Sequence, residues 1–358
     1  MWAYLSPPGS DPLVDAAAGT TLVAAAVNLV LLAYTLLLRR ATIVAARRRR
    51  SVFDRWRRIF AAAMLSDDEA RGAALPRFSR RETGDLLEQW NAARESVEGD
   101  SVARLVVLGE RLGFGKIARR RLARRKLGAR LLAIQTLGNL RDPSAWDAIA
   151  AFLSHPNTAL SVTAAAALVD IDAARAVPLV MPCVRARVDW PDVSVFRLLK
   201  KAGEPLVTQP LCNAILTSEA AAAVRLLKYA SLARSETIDQ LIELLLRERD
   251  EPAVLAAALK AISDYAGLPR IETLATHEAW YVRAQAARLL GRVGQARDVR
   301  LLEKLLADRE WWVRYRAAQA IVSLPWLGPN RLRELADAQS DAFARDIMRH
   351  AMAEVGLA

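Results

Sequence analysis

Cysteine is almost missing: the 358 residues contain two, Cys183 and Cys212. That excludes a disulfide scaffold and any thiolate metal cluster. The three histidines are far apart in the sequence, which argues against a His-based metal site. Glycine and proline, sixteen and fifteen residues, are too few for a collagen-like or linker-like chain. No dinucleotide glycine fingerprint, Walker phosphate loop, H-E-x-x-H metal motif or G-x-S-x-G nucleophile elbow occurs. Gly113-Phe114-Gly115-Lys116 is two glycines before a lysine and falls well short of a phosphate loop. Asp346 and His350, four apart on an expected helix, form a carboxylate–imidazole pair with no nucleophile beside it. The sequence therefore predicts no catalytic constellation, no cofactor and no small-molecule substrate.

Charge is missing from one long stretch. Residues 16–38 hold 23 positions without a charged side chain. As a helix this run is about 34 Å long, enough for a hydrocarbon core of about 30 Å. Asp11 and Asp15 precede it, and Arg39 and Arg40 follow at once. A cleaved signal peptide needs a basic start and a shorter apolar stretch. The run is predicted to be a single transmembrane helix in the inner membrane. The short tail 1–15 then faces out, and the rest of the chain lies in the cytoplasm. Thr21, Ala25 and Asn28 share one face of this helix, with Asn28 near mid-membrane. Small and polar residues on one stripe suit contact with another transmembrane helix.

The net charge of +12 is concentrated in two short segments. Residues 39–60 carry nine arginines against Asp54, and residues 111–130 carry nine cations and no anion. Together they hold +17, which leaves −5 for the rest of the chain. Phe53, Trp56, Ile59, Phe60 and Ala63 recur at helical spacing in the first segment. A basic helix with an aromatic stripe, spanning 39–65, is expected to sit in the lipid headgroup layer. In the second segment Arg119, Arg120, Arg121, Arg124, Arg125 and Lys126 form a candidate anionic-surface contact, for lipid, a polyanion or an acidic protein.

Residues 66–78, with a charge run, a glycine and a proline, read as a linker. Ser79-x-x-Glu82 predicts a capping box opening an amphipathic helix, with 79–127 forming N-terminal capping helices. A repeat then appears. Leu137, Leu168, Leu199, Ala230, Ile262, Leu290 and Ile321 recur at steps of 28 to 32 residues, and Ala133, Ala164, Val195, Leu226, Ala258, Ala286 and Ala317 lie four places earlier. A second series runs through Leu153, Val184, Ile215, Leu246, Leu274 and Leu305. Two apolar series on one period mean two helices per unit, each pair burying its apolar face on its neighbours. The predicted fold is all-α: an N-terminal transmembrane helix, then a solenoid of about seven helix pairs over 128–327, closed by capping helices over 328–358.

Trp280–Gly294 and Trp311–Leu324 resemble the short HEAT-like repeats also called PBS-lyase-type repeats. The shared pattern is Val-Arg, then Ala-Ala at the helix centre, then Leu or Ile. Asp308, six residues before Arg314, resembles the Asp/Arg ladder of HEAT repeats, whereas His277 stands at that place before Arg283. The stretches AALVDIDAARAVPL, RVDWP and FARDIMRHAMAE are similar to bacterial membrane-anchored HEAT-repeat proteins. That resemblance implies a binding scaffold, with a glycosyltransferase of envelope polysaccharide synthesis as partner. HEAT-like solenoids that bind DNA and excise alkylated bases are the alternative, and a chromophore lyase is a third reading. Trp280, Tyr281, Trp311 and Trp312 occupy matching repeat positions beside Arg283, Arg314 and Arg316. Aromatics exposed beside arginines suit a protein-binding hot spot, and packing between repeats is the competing reading.

Overall fold

The computed structural model describes residues 12–72, 74–262, 270–293 and 295–357. Most of the expected outer tail, 1–11, lies outside them. Among the described residues the chain is all-α, with twenty α-helices and no strand. It divides into two compact units, residues 1–118 and 119–358.

The first unit is organised by α1, Pro12–Leu65. At 1.5 Å per residue its 54 residues extend about 81 Å. Residues 19–51 are exposed all round, so the apolar half touches no other part of the protein. The last four turns behave differently. Val52, Trp56, Phe60 and Ala63 are buried against α2 (Asp67–Gly72), α3 (Thr83–Glu95) and α4 (Asp100–Arg111). Trp56 meets Phe78 with ring centroids 6.0 Å apart, Phe78 meets Phe114 at 6.4 Å, and Phe114 meets Trp90 at 5.5 Å. The Trp90 indole donates to the Leu105 carbonyl at 3.0 Å.

Two expectations are corrected here. The aromatic stripe assigned to lipid headgroups is mostly protein core, and only Phe53 remains exposed, at 47%. Residues 66–78 are no free linker. They contain α2 and Phe78, and Arg104 and Arg111 tie them down by donating to Asp67 Oδ1 and to the Ala70 carbonyl at 2.5 and 2.7 Å. The same packing removes cations from the first basic segment. Arg48, Arg49 and Arg55 pair with Asp85, Glu88 and Glu82 of the α3 region at 3.3, 2.8 and 2.8 Å. The capping box forms as its spacing predicts: the Ser79 amide donates to Glu82 Oε2 at 2.7 Å and the Glu82 amide to Ser79 Oγ at 3.3 Å. The Ser79 amide, with Arg55 behind it, holds the Glu82 carboxyl below its ordinary range. Gly113 takes φ +69°, turning the chain from α4 into α5 (Phe114–Leu122). That left-handed turn accounts for the glycine that stood before Lys116 without a phosphate loop.

The second unit is a stack of helix pairs. Its first-layer helices are α6 (Leu127–Asn139), α8 (Thr158–Ile171), α10 (Asp192–Ala202), α12 (Ala220–Leu227), α14 (Pro252–Ala261), α16 (Trp280–Val293), α18 (Trp311–Val322) and α20 (Ala342–Glu354). Between them lie α7 (Trp146–Ala150), α9 (Ala173–Ala186), α11 (Glu204–Leu216), α13 (Ser235–Glu248), α15 (Ile271–Ala275), α17 (Val299–Leu306) and α19 (Pro329–Asp337). That is seven pairs closed by α20. Every residue of the three periodic series is buried. Consecutive first-layer helices pack on one another at α6–α8, α8–α10, α12–α14, α14–α16, α16–α18 and α18–α20. Polar ties cross between pairs as well. Arg187 holds both Asp189 oxygens at 2.7 Å and donates to the His155 carbonyl at 3.1 Å. The buried Trp190 indole donates to Ser161 Oγ at 2.9 Å.

Candidate partner-binding surface

The 31-residue period brings Trp280 and Trp311 to the first position of α16 and α18, and Tyr281 and Trp312 to the second. The four side chains are partly exposed, between 38% and 51%. Sequence reasoning missed the next member. Phe343, 31 residues after Trp312, occupies the second position of α20 and is 69% exposed. The signal that would have found it is the same period applied once more. Tyr281, Trp312 and Phe343 thus form a stripe along three successive first-layer helices.

Tyr315, also missed, stiffens this stripe. Its ring stacks on Trp311 at 5.1 Å with planes 9° apart, and Trp311 meets Trp312 edge-on at 4.8 Å. The Tyr315 hydroxyl donates to Glu354 Oε1 at 2.8 Å and accepts from Gln319 Nε2 at 2.7 Å. The bond to Glu354 raises the Tyr315 phenol above its ordinary value and lowers the Glu354 carboxyl. Two stacked aromatics with a hydrogen-bonded base lose little freedom on binding, which is what a recognition anchor requires.

The three arginines do not share one role. Arg316 lies 6.0 Å from the Tyr315 ring and donates to Gln319 Oε1 at 2.8 Å. Arg314 lies 5.7 Å from the Phe343 ring and donates to the Asp308 carbonyl at 2.7 Å. Arg283 is withdrawn from the surface, a correction to its expected place in the hot spot: it is 5% exposed. Its Nε and Nη2 donate to the two Asp308 oxygens, both at 2.7 Å, and its Nη1 donates to the carbonyls of His277 and Glu278, both at 2.8 Å. The ladder therefore runs between repeats, from Asp308 back to the preceding Arg283. His277 keeps only half of the aspartate's work. Its Nδ1 accepts from the Ala279 amide at 3.0 Å, as Asp308 Oδ1 accepts from Glu310 at 2.9 Å.

The second basic segment is thinner than its sequence suggests. Arg119 pairs with Asp142 and donates to Ser144 Oγ at 3.1 Å. Arg121 is half-buried. Arg120, Arg124, Arg125 and Lys126 are exposed and pair with no carboxylate among the described residues. On α1, Ala25 and Asn28 are exposed with Thr21, and Asn28 Nδ2 donates within its own helix to the Ala24 carbonyl at 2.8 Å.

The remaining candidates resolve as structural features. Cys212 is buried and Cys183 half-buried, and burial raises both thiols, so neither is an activated nucleophile. His350 pairs with Glu354 at 3.4 Å rather than with Asp346.

Comparison with known proteins supports the repeat assignment at the C-terminal end. The HEAT repeats family matches residues 267–353, the segment of α15 to α20. No curated protein matches the chain. Among solved structures, the chain is similar to a crystal structure of an engineered protein, 16% identical. The likeness covers 82% of this chain and 88% of that one, with a TM-score of 0.30.

Proposed function

We propose that this chain is a single-pass inner-membrane protein that holds a HEAT-like solenoid in the cytoplasm as a scaffold for a protein partner. The observation that carries the proposal is the continuity of α1. One helix leaves Leu22, Leu29, Val30 and Leu37 between 67% and 71% exposed, then runs without interruption into the core of the first unit. A bare apolar surface of that length belongs in a bilayer. Arginines after residue 38 and aspartates before residue 16 favour the solenoid on the cytoplasmic side. Anchoring raises the effective concentration of the solenoid for any partner in the same membrane. A membrane glycosyltransferase of envelope polysaccharide synthesis is the partner that the resemblance to membrane-anchored HEAT-repeat proteins suggests. Thr21, Ala25 and Asn28 then offer a contact for a transmembrane helix of that partner.

The aromatic stripe is the proposed capture surface, with Trp311, Trp312 and Phe343 as anchors, Trp280 and Tyr281 continuing it, and Arg314 and Arg316 at its edge. The second reading, nucleic-acid binding, draws on Arg120, Arg124, Arg125 and Lys126. Four cations with no carboxylate partner among the described residues support salt-sensitive, sequence-independent contact with phosphate, and equally with an anionic leaflet.

A cytosol-active reporter fused after Leu65 should be active, and a periplasm-active one should be silent. The opposite pattern overturns the topology. Full-length protein extracted in mild detergent should retain a membrane partner, and Trp311→Ala with Trp312→Ala should release it while the melting temperature stays within a few degrees. Capture unchanged in that double variant would remove the stripe from the proposal. Lesion-selective DNA binding by the full chain would replace the scaffold reading with the second one.

A further inference from the structure

One strip of α1 runs from the apolar segment into a groove of the first unit. At about 100° per residue, Thr21, Ala24, Asn28, Thr35, Arg39, Thr42 and Ala46 fall within an arc of about 60°. No leucine, valine, isoleucine or tyrosine falls in that arc, although thirteen of residues 19–46 are of those four types. The whole stretch is exposed. Asn28 spends one N–H on the Ala24 carbonyl, and its other amide hydrogen and its Oδ1 have no partner among the described residues. The next residues in the same arc are Phe53, Arg57, Phe60 and Met64.

These four residues line one side of a groove of about 450 Å³ between α1 and α3. Ala92, Ala93 and Ser96 of α3 line the other. Its shape is fixed by polar ties across it: Gln89 Nε2 donates to the Phe53 carbonyl at 3.0 Å, and Arg49 meets Glu88 at 2.8 Å. Phe60 is buried, while Phe53 stands exposed. Arg57 is exposed too and pairs with no carboxylate among the described residues. Along the helix axis, Phe53 to Met64 lie about 22 to 39 Å beyond Leu38. At a usual tilt of about 20° the acyl chains do not reach that far.

We infer that the strip and the groove together dock one helix of another membrane protein, which crosses the bilayer beside α1 and continues straight into the cytoplasm. Small and polar residues let two helices approach closely within the bilayer and hydrogen-bond there. A helix held nearly parallel to α1 at Thr21, Ala24 and Asn28 meets the groove without turning, because both lie on one arc. Alanines and a serine on the far wall leave room for large apolar side chains against Phe53, Phe60 and Met64. Arg57 complements an acidic group on the same helix. A second copy of this chain fits poorly. In a parallel two-fold pair equal heights meet, so Arg39 would face Arg39 and Arg57 would face Arg57. Docking of this kind presupposes that residues 16–38 span the bilayer, and it extends that reading to the cytoplasmic continuation of the partner's helix.

The test is site-directed photo-crosslinking of the full-length protein in its native membrane. A benzophenone side chain is installed in turn at Leu32, which flanks the strip in the bilayer, and at Phe53 in the groove. Leu37 and Val44, on the opposite face of α1, are the controls. Leu32 and Phe53 should give adducts of one size with one polypeptide, and the controls about tenfold less. Mass spectrometry should place the two crosslinked sites of that polypeptide about 21 residues apart, the rise that separates Leu32 from Phe53, with the first inside an apolar run. Ala92→Trp fills the groove from an exposed position. It should cut the Phe53 adduct about tenfold and leave the Leu32 adduct and the melting temperature unchanged. Arg57→Glu should weaken the Phe53 adduct several-fold. A Leu32 adduct without one at Phe53 overturns the inference and leaves the transmembrane contact standing, whereas no adduct at either overturns both. Adducts between two copies of this chain, with two different polypeptides, or equally from the opposite face overturn it as well. So does a Phe53 adduct that survives both Ala92→Trp and Arg57→Glu undiminished.

Discussion

Asp308→Ala is expected to destabilise the repeat unit by about 3–5 kcal/mol, the range for breaking a buried ion pair by removing one partner. The Arg283 and Asp308 side chains are 6% and 10% exposed. Without the carboxylate the guanidinium keeps two carbonyl acceptors, of His277 and Glu278, but its charge is left buried and uncompensated. The pair bridges α16 to the turn before α18, so the loss acts between repeats and not within one. Arg283→Leu combined with Asp308→Leu should recover much of the loss, because an apolar pair leaves no charge behind.

The pair also has a pH signature. Burial by itself raises the Asp308 carboxyl, but the hydrogen bonds from Arg283 and the Glu310 amide outweigh it, and the net shift is downward from 3.8. A group whose folded value is depressed adds stability above its unfolded value and loses it as pH falls through the folded value. The gap between wild type and Asp308→Ala should therefore be full at pH 7 and narrow below about pH 4. Denaturant unfolding of the full chain, followed by tryptophan fluorescence at both pH values, measures it. A cost below about 1 kcal/mol at pH 7, or one equally large at pH 3, would falsify the assignment of a buried charged rung.

Much of the repeat architecture is legible in the sequence because a solenoid imposes one constraint again and again. Leu168 must be buried for the reason that Leu137 is, and a helix pair returns the chain to the same place after each period. Period alone does not name the surface that covers a stripe. Trp56 and Phe60 satisfy the pattern for a lipid interface and for a protein core equally well. Phe78 decides between the two, and it sits in a segment whose glycine, proline and charges imitate a linker. Arg283 posed the converse difficulty. It looks like Arg314 in the motif, but its fate depends on the residue at the turn 25 positions later. An aspartate there accepts both an amide and a guanidinium. A histidine at the matching turn, His277, accepts only the amide.

The second large effect concerns two glycines that the period places at equivalent positions, Gly138 after Leu137 and Gly291 after Leu290. An added Cβ on Gly138 would lie 2.6 Å from both Cα and Cβ of Ala167, and on Gly291 equally close to those of Ala320. Neither neighbour is the far end of a flexible side chain, so relief requires α6 to move from α8, or α16 from α18. Gly138→Ala and Gly291→Ala should each cost about 1–3 kcal/mol despite the better helix propensity of alanine. Gly128, on the exposed start of α6, has nothing within 4 Å of such a Cβ. Gly128→Ala should therefore be neutral or gain up to about 1 kcal/mol. Ala320→Gly added to Gly291→Ala should rescue the helix contact only in part, because the Ala320 Cα itself stands at 2.6 Å. A stabilising Gly291→Ala would mean that α16 and α18 do not approach this closely, and the register joining the last repeats would have to be redrawn.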